Sequence, residues 1–119
     1  MALVDKLLEN SATDRDLLGK NLKAGDQPYV PRDAEFVLYA RTRGKADVFC
    51  SFIHDNGYGR ASFCEVPELP EERRYRVIVA VRMPTEEHIV CSVSGMMLLL
   101  GELFSLEYDG WGSSLQTKC

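Results

Sequence analysis

The segment Tyr75–Met83 alternates cleanly: Val77, Val79, Val81 and Met83 share one parity, while Arg76, Ile78, Ala80 and Arg82 share the other. A strand of this kind buries one face and turns the other away, so the chain must supply something to cover the valine side. A helix follows almost at once. Pro84-Thr85-Glu86-Glu87 offers a threonine N-cap and two carboxylates suited to the positive end of a helix dipole. The stripe Ile89, Val93, Met96, Leu100 and Leu103, with Met97 and Phe104 beside it, is expected to face the sheet, and Leu98 to project from nearly the opposite side. Gly101 weakens the helix by about 1 kcal/mol relative to alanine. Its presence implies either close packing at that point or early fraying.

The other elements repeat this alternation of strand and helix. Glu35 to Ala40 is apolar on both parities, as in a central strand or one covered on both faces. Thr42 can cap a helix whose stripe is Ala46, Phe49, Cys50 and Ile53, with Asp47 and Asp55 in solvent and Asn56-Gly57 as a left-handed stop. Arg60 to Val66 reads as a second strand and Leu106 to Asp109 as a fourth. Strand, helix, strand, strand, helix, strand is the order of an α+β, ferredoxin-like split β-α-β sandwich, with a four-stranded antiparallel sheet and two helices on one face. Leu3, Val4, Leu7, Leu8, Leu17, Leu18 and Leu22 add one broken helix or two short ones in front, and Gly25 to Pro31 reads as a linker. The expected organisation is a single domain over residues 1–119, with an N-terminal helical segment (1–24), a βαββαβ core (33–112) and a tail (113–119). The second sheet face must then be solvated, covered by the N-terminal segment, or used for binding.

With 119 residues, 45% hydrophobic and 27% charged, the chain supports one core. A net charge of -4 opposes a nucleic-acid or anionic-membrane footprint, which rewards clustered Lys and Arg. Cys50, Cys64, Cys91 and Cys119 lack the close pairing of a thiolate metal site and are read as free thiols. Asp5 and Lys6 interrupt the opening segment, leaving no signal-peptide apolar region, and Ile89 to Gly101 is too short to span a bilayer. The expected setting is the cytoplasm, with no membrane.

Few groups propose chemistry. His88 and Cys91, with Glu87 near, supply two of the three or four ligands that zinc requires, so no metal is expected. His54 lies near the negative end of its helix, where an imidazolium is favoured, and Asp55 beside it weakly resembles a base with its orienting group. No nucleophile accompanies them. Arg43-Gly44-Lys45 lacks P-loop spacing, and Glu71-Glu72-Arg73-Arg74 reads as a solvated connection. Tyr39 would stack a base on an open sheet face, but the third strand has no aromatic to match it, so no direct nucleic-acid contact is expected.

The sharper feature is Glu107-Tyr108-Asp109-Gly110-Trp111-Gly112, which holds the only tryptophan. Asp-Gly is a turn signal, so Glu107 to Trp111 is expected to be a strand end and a tight bend. Tyr108 and Trp111 combine large apolar area with a polar tip, which suits a rim or interface, and flanking carboxylates select a basic partner. Glu107, Tyr108, Asp109 and Trp111 are therefore the candidate binding residues.

Placed after a long helix, this hexapeptide resembles the C-terminal hallmark of the regulator of ribonuclease activity B family, also called ribonuclease E inhibitor B. Pro31-Arg32-Asp33-Ala34-Glu35-Phe36, Lys45-Ala46, Asn56-Gly57-Tyr58-Gly59 and Met83-Pro84 are similar to the family pattern as well. The resemblance covers roughly Asp14 to Gly112. It implies a non-catalytic protein without cofactor that binds ribonuclease E, or a related ribonuclease, and modulates RNA processing or decay in bacteria. The modest charge excess and the absence of an acidic extension in Ser113 to Cys119 depart from many relatives. The alternative is an orphan member that binds a small molecule or forms a homodimer across the open sheet face over Ile78 and Tyr39.

Overall fold

The structure, a computed structural model, describes residues 2–113. Of the expected tail, Ser113 instead ends the last strand, and residues 114–119, Cys119 among them, lie outside the described residues. The elements run α1 (Leu3–Lys23), β1 (Arg32–Ala40), α2 (Arg43–Asp55), β2 (Arg60–Glu65), a single 3-10 turn at Glu71–Arg73, β3 (Tyr75–Met83), α3 (Glu87–Phe104) and β4 (Glu107–Ser113). The four strands form one antiparallel sheet in the order β2-β3-β1-β4. This is the ferredoxin-like split β-α-β arrangement expected from the order of elements.

The central pairing of β1 with β3 sets which residues are buried. Phe36 lies opposite Val79 and Leu38 opposite Val77, all four fully buried on the helical side. Full burial of side chains this size stabilises by roughly 1.5–3 kcal/mol each. Ala46, Phe49, Cys50 and Ile53 bring α2 onto this layer as expected, Thr42 Oγ1 accepts from the Lys45 N–H at 3.2 Å, and Gly57 stops the helix at φ 67°. Burial pushes the Cys50 thiol up to about 11, so it stays protonated in the core.

α1 is one unbroken helix of 21 residues, not a broken one or a pair. Tertiary packing overrides the polar stretch Glu9–Asp16 that suggested a break. Lys6 reaches Glu102 at 2.7 Å and Arg15 approaches Glu87 at 3.8 Å, so α1 runs antiparallel to α3. Three helices therefore share one face, and the N-terminal segment does not cover the other.

α3 is rotated relative to the expected stripe. Val90, Ser94, Met97, Leu100 and Gly101 are buried, Ile89, Val93 and Met96 sit half-buried towards its flank, and Leu103 is 78% exposed. The presence of α1 explains the shift, because α3 lies between two helices and above the sheet and is covered on three sides. Gly101 resolves as close packing: a Cβ there would meet the Leu106 carbonyl oxygen at 3.1 Å and Leu38 Cδ2 at 3.3 Å. Ile89 to Gly101 is part of a longer apolar helix: the whole of α3 has the length and hydropathy of a bilayer-crossing helix, and here it is the central helix of the layer.

Thr85 is not an N-cap, a position held by Glu86 without a side-chain bond. Thr85 is buried instead: its N–H donates to the Pro28 carbonyl at 2.8 Å and its hydroxyl lies 3.5 Å from Asp26 Oδ2. Asp26 in turn accepts from Arg32 Nη1 at 2.5 Å, and Arg32, 1% exposed, donates to the carbonyls of Gln27 at 2.6 Å and Val30 at 3.0 Å. The expected linker is thus pinned by a buried ion pair. β1 starts at Arg32, paired with Met83, ahead of the expected Glu35.

Candidate functional site

β4 extends to Ser113, past the expected end at Asp109, and Asp-Gly is not a tight bend. Val37 pairs with Gly110 and Leu38 with Tyr108, so Asp109 is an extra residue bulged out of the ladder. Gly110 adopts φ 124°, a conformation that side chains rarely take. In a regular strand Tyr108 and Trp111, three apart, would face opposite sides. The bulge puts both on the helical side, Tyr108 opposite Leu38 and Trp111 opposite Phe36.

The four candidate residues consequently divide. Glu107 pairs in register with Tyr39 and turns to the open sheet face, where Arg73 holds it by two hydrogen bonds, with the Nε contact at 3.1 Å. Asp109 lies 3.9 Å from the same guanidinium. The hydrogen bond from Arg73 keeps the Glu107 carboxyl below the ordinary carboxylate range, and the same contact raises Arg73. Both carboxylates are exposed, so the segment read as a solvated connection supplies their partner.

On the helical side, Trp111 is half-buried, its ring 6.4 Å from that of Phe36 and its Nε1–H donating to Asp14 Oδ1 at 3.1 Å. The Tyr108 hydroxyl shares a 2.8 Å hydrogen bond with Ser94 Oγ, which also accepts from Asn10 Nδ2 at 3.0 Å. Burial drives the Tyr108 phenol well above its ordinary value, so it is neutral. Asp14 is only 2% exposed, and burial raises its carboxyl, with Ser94 and Trp111 pulling the other way. Asp14 Oδ2 is buried and has no donor at hydrogen-bond distance among the described residues.

Above this polar cluster a groove of about 550 Å³ opens between α1 and β4. Glu9, Thr13 and Leu17 form one wall, Leu98 and Glu102 belong to α3, and the run Glu107 to Trp111 forms the other wall. Leu98 thus lines this groove, on the side of α3 turned to α1.

Asn10, Asp14 and Ser94 escaped the sequence reading. The signal was present: each is a polar residue at a position where its helix is otherwise apolar, Asp14 between Leu7 and Leu18 and Ser94 between Val90 and Met97. A polar group on an inner stripe needs a buried partner.

The other candidates stand apart from this groove. His54 Nε2 accepts from the Ala61 N–H at 3.0 Å, a tie between the end of α2 and the start of β2. Asp55 is exposed. His88 is exposed, burial raises the Cys91 thiol, and among the described residues no group of three His, Cys, Asp or Glu side chains is placed to hold a metal ion. The Tyr39 ring is covered by Arg73 at 5.0 Å and Arg76 at 5.9 Å, which occupy the surface a base would need.

No curated protein matches the chain. The family model described as regulator of ribonuclease activity B matches residues 11–113, from within α1 to the last residue of β4, and so takes in the β4 wall of the groove and the part of the α1 wall from Thr13 onward. With most of its length matched, the chain belongs to the regulator of ribonuclease activity B family.

Proposed function

We propose that the protein is a non-catalytic regulator that binds ribonuclease E, or a related ribonuclease, and thereby modulates RNA processing or decay in the bacterial cytoplasm. The observation that carries this reading is the family match, which extends across the whole sheet and the β4 wall of the groove. The chemistry of the surface supports it. His54, with Asp55 beside it, is tied to the Ala61 main chain, and two exposed acids, Glu107 and Asp109, lie beside Trp111 on one edge of the sheet.

The docking patch is the β4 edge. Glu107 and Asp109 present carboxylates at the surface, Trp111 contributes a half-exposed aromatic wall, and Tyr108 supports it from beneath. Aromatic anchors supply much of the binding energy in protein interfaces, while rim carboxylates steer a basic partner and set the salt dependence of association.

The test is cleavage of a structured RNA by purified ribonuclease E with increasing amounts of the protein. A saturable decrease in the cleavage rate is expected. An unchanged rate at tens of micromolar protein would reject ribonuclease E as the target.

A further inference from the structure

We infer that the groove between α1 and β4 is a subsite for a single arginine side chain carried by the partner polypeptide, with Asp14 Oδ2 as its acceptor. The inference rests on the docking reading above and names the chemistry of what docks.

Two independent observations lead to it. The first is charge. The groove is lined by Glu9, Asp14, Glu102, Glu107 and Asp109 against a single base, Lys6. Lys6 is taken by Glu102, and Arg73 engages Glu107 and Asp109 from the open-face side of the sheet. Glu9 forms no ion pair among the described residues. The groove is therefore short of positive charge at the depth of α1.

The second is an unmet acceptor. Asp14 is 2% exposed, one of its oxygens takes the Trp111 N–H, and the other has no donor at hydrogen-bond distance among the described residues. A buried carboxylate oxygen without a donor is unfavourable, and its natural complement is a cation that brings N–H groups with it. Guanidinium fits these walls better than ammonium. It is planar and weakly hydrated and it stacks on aromatic faces, and the groove lining includes Trp111 and Leu98 as well as the acceptor.

The probe is an acetylated and amidated Gly-Gly-Arg-Gly-Gly peptide, with citrulline, lysine and free-arginine controls. Because Trp111 is the only tryptophan, its indole N–H gives one resolved nitrogen–proton resonance, and that proton lies on the partner oxygen of the same carboxylate. The arginine peptide is expected to shift this resonance saturably, with the citrulline peptide at least tenfold weaker and the lysine peptide in between. Free arginine carries its own carboxylate into an acidic groove and is expected to bind less tightly than the peptide. Asp14→Asn should weaken the peptide at least tenfold. Thr13→Arg, a change at an exposed groove position, should weaken it by placing a tethered guanidinium in the groove.

Equal binding of the citrulline peptide, or of the arginine peptide to Asp14→Asn, would overturn the inference and leave a buried water as the donor to Oδ2. Equal binding of free arginine would overturn the polypeptide source. The two readings fail separately. Ribonuclease inhibition that survives Asp14→Asn removes the subsite and keeps the regulator, whereas peptide binding without any effect on cleavage removes ribonuclease E and keeps the subsite.

Discussion

Trp111 donates its indole N–H to Asp14 Oδ1 at 3.1 Å, joining the last strand to the first helix across 97 positions of sequence. This bond ties α1 to the sheet edge beside its packing on α3. It also gives the aromatic residue of the EYDGWG run a fixed orientation at the edge of an acidic groove.

Asp14 should make stability depend on pH in an unusual direction. Burial holds its carboxyl above the ordinary 3.8, so the folded state binds this proton more tightly than the unfolded chain. The contribution of this group to stability therefore falls as pH rises from 3.8 through the folded-state value and stays low at neutrality. Asp14→Asn keeps an acceptor for Trp111 and removes that loss. Its melting temperature is expected to exceed that of the parent near pH 7 and to converge with it below about pH 4. Glu107, lowered by Arg73, loses its own contribution as pH falls in both proteins, so the difference between the two curves isolates Asp14. An offset independent of pH, read by thermal unfolding, would contradict the assignment. A variant that gains stability while losing peptide binding is the trade expected where a destabilised group serves function.

Arg32→Met should be the most damaging single change outside the apolar core. It leaves Asp26 buried beside Thr85 without its guanidinium, a loss of about 3–5 kcal/mol. Denaturant unfolding should also show that adding Asp26→Leu recovers much of this, because the pair as a whole is worth less than either half left alone.

Two glycines on helices should respond with opposite sign. A Cβ at Gly101 enters contact with a main-chain oxygen at 3.1 Å, so Gly101→Ala is expected to destabilise by about 1 kcal/mol despite its better helix propensity. A Cβ at Gly19 meets nothing within 4 Å, and Gly19→Ala is expected to stabilise by about 0.5–1 kcal/mol. Urea midpoints of the two variants moving in the same direction would show that propensity, not packing, governs α3.

Local pattern made the architecture legible. The valine alternation of β3, the Thr42 cap, the α2 stripe and the order of elements are consequences of periodicity, and each appears in the structure. What escaped depended on distant partners. The α3 stripe shifted because α1 covers a second side of it, and nothing within α3 records that neighbour. Thr85 has the chemistry of a cap, but the Pro28 carbonyl and Asp26 hold it inside. Asp109-Gly110 has turn chemistry, which a strand can also use for a bulge, and only the pairing with β1 decides between them. The division of Glu107 and Asp109 from Tyr108 and Trp111 follows from that bulge.

The central claim is that the β4 edge and its groove form a docking surface for a ribonuclease. Calorimetric titration of purified ribonuclease E with the parent protein and with a Glu107→Gln, Asp109→Asn double variant tests it most directly. Both carboxylates are exposed and, among the described residues, ion-paired to surface Arg73, so the variant should stay folded. The account predicts saturable binding by the parent, at least tenfold weaker binding by the variant, and a smaller gap as salt is raised. Equal affinity of the folded variant at low salt would contradict it.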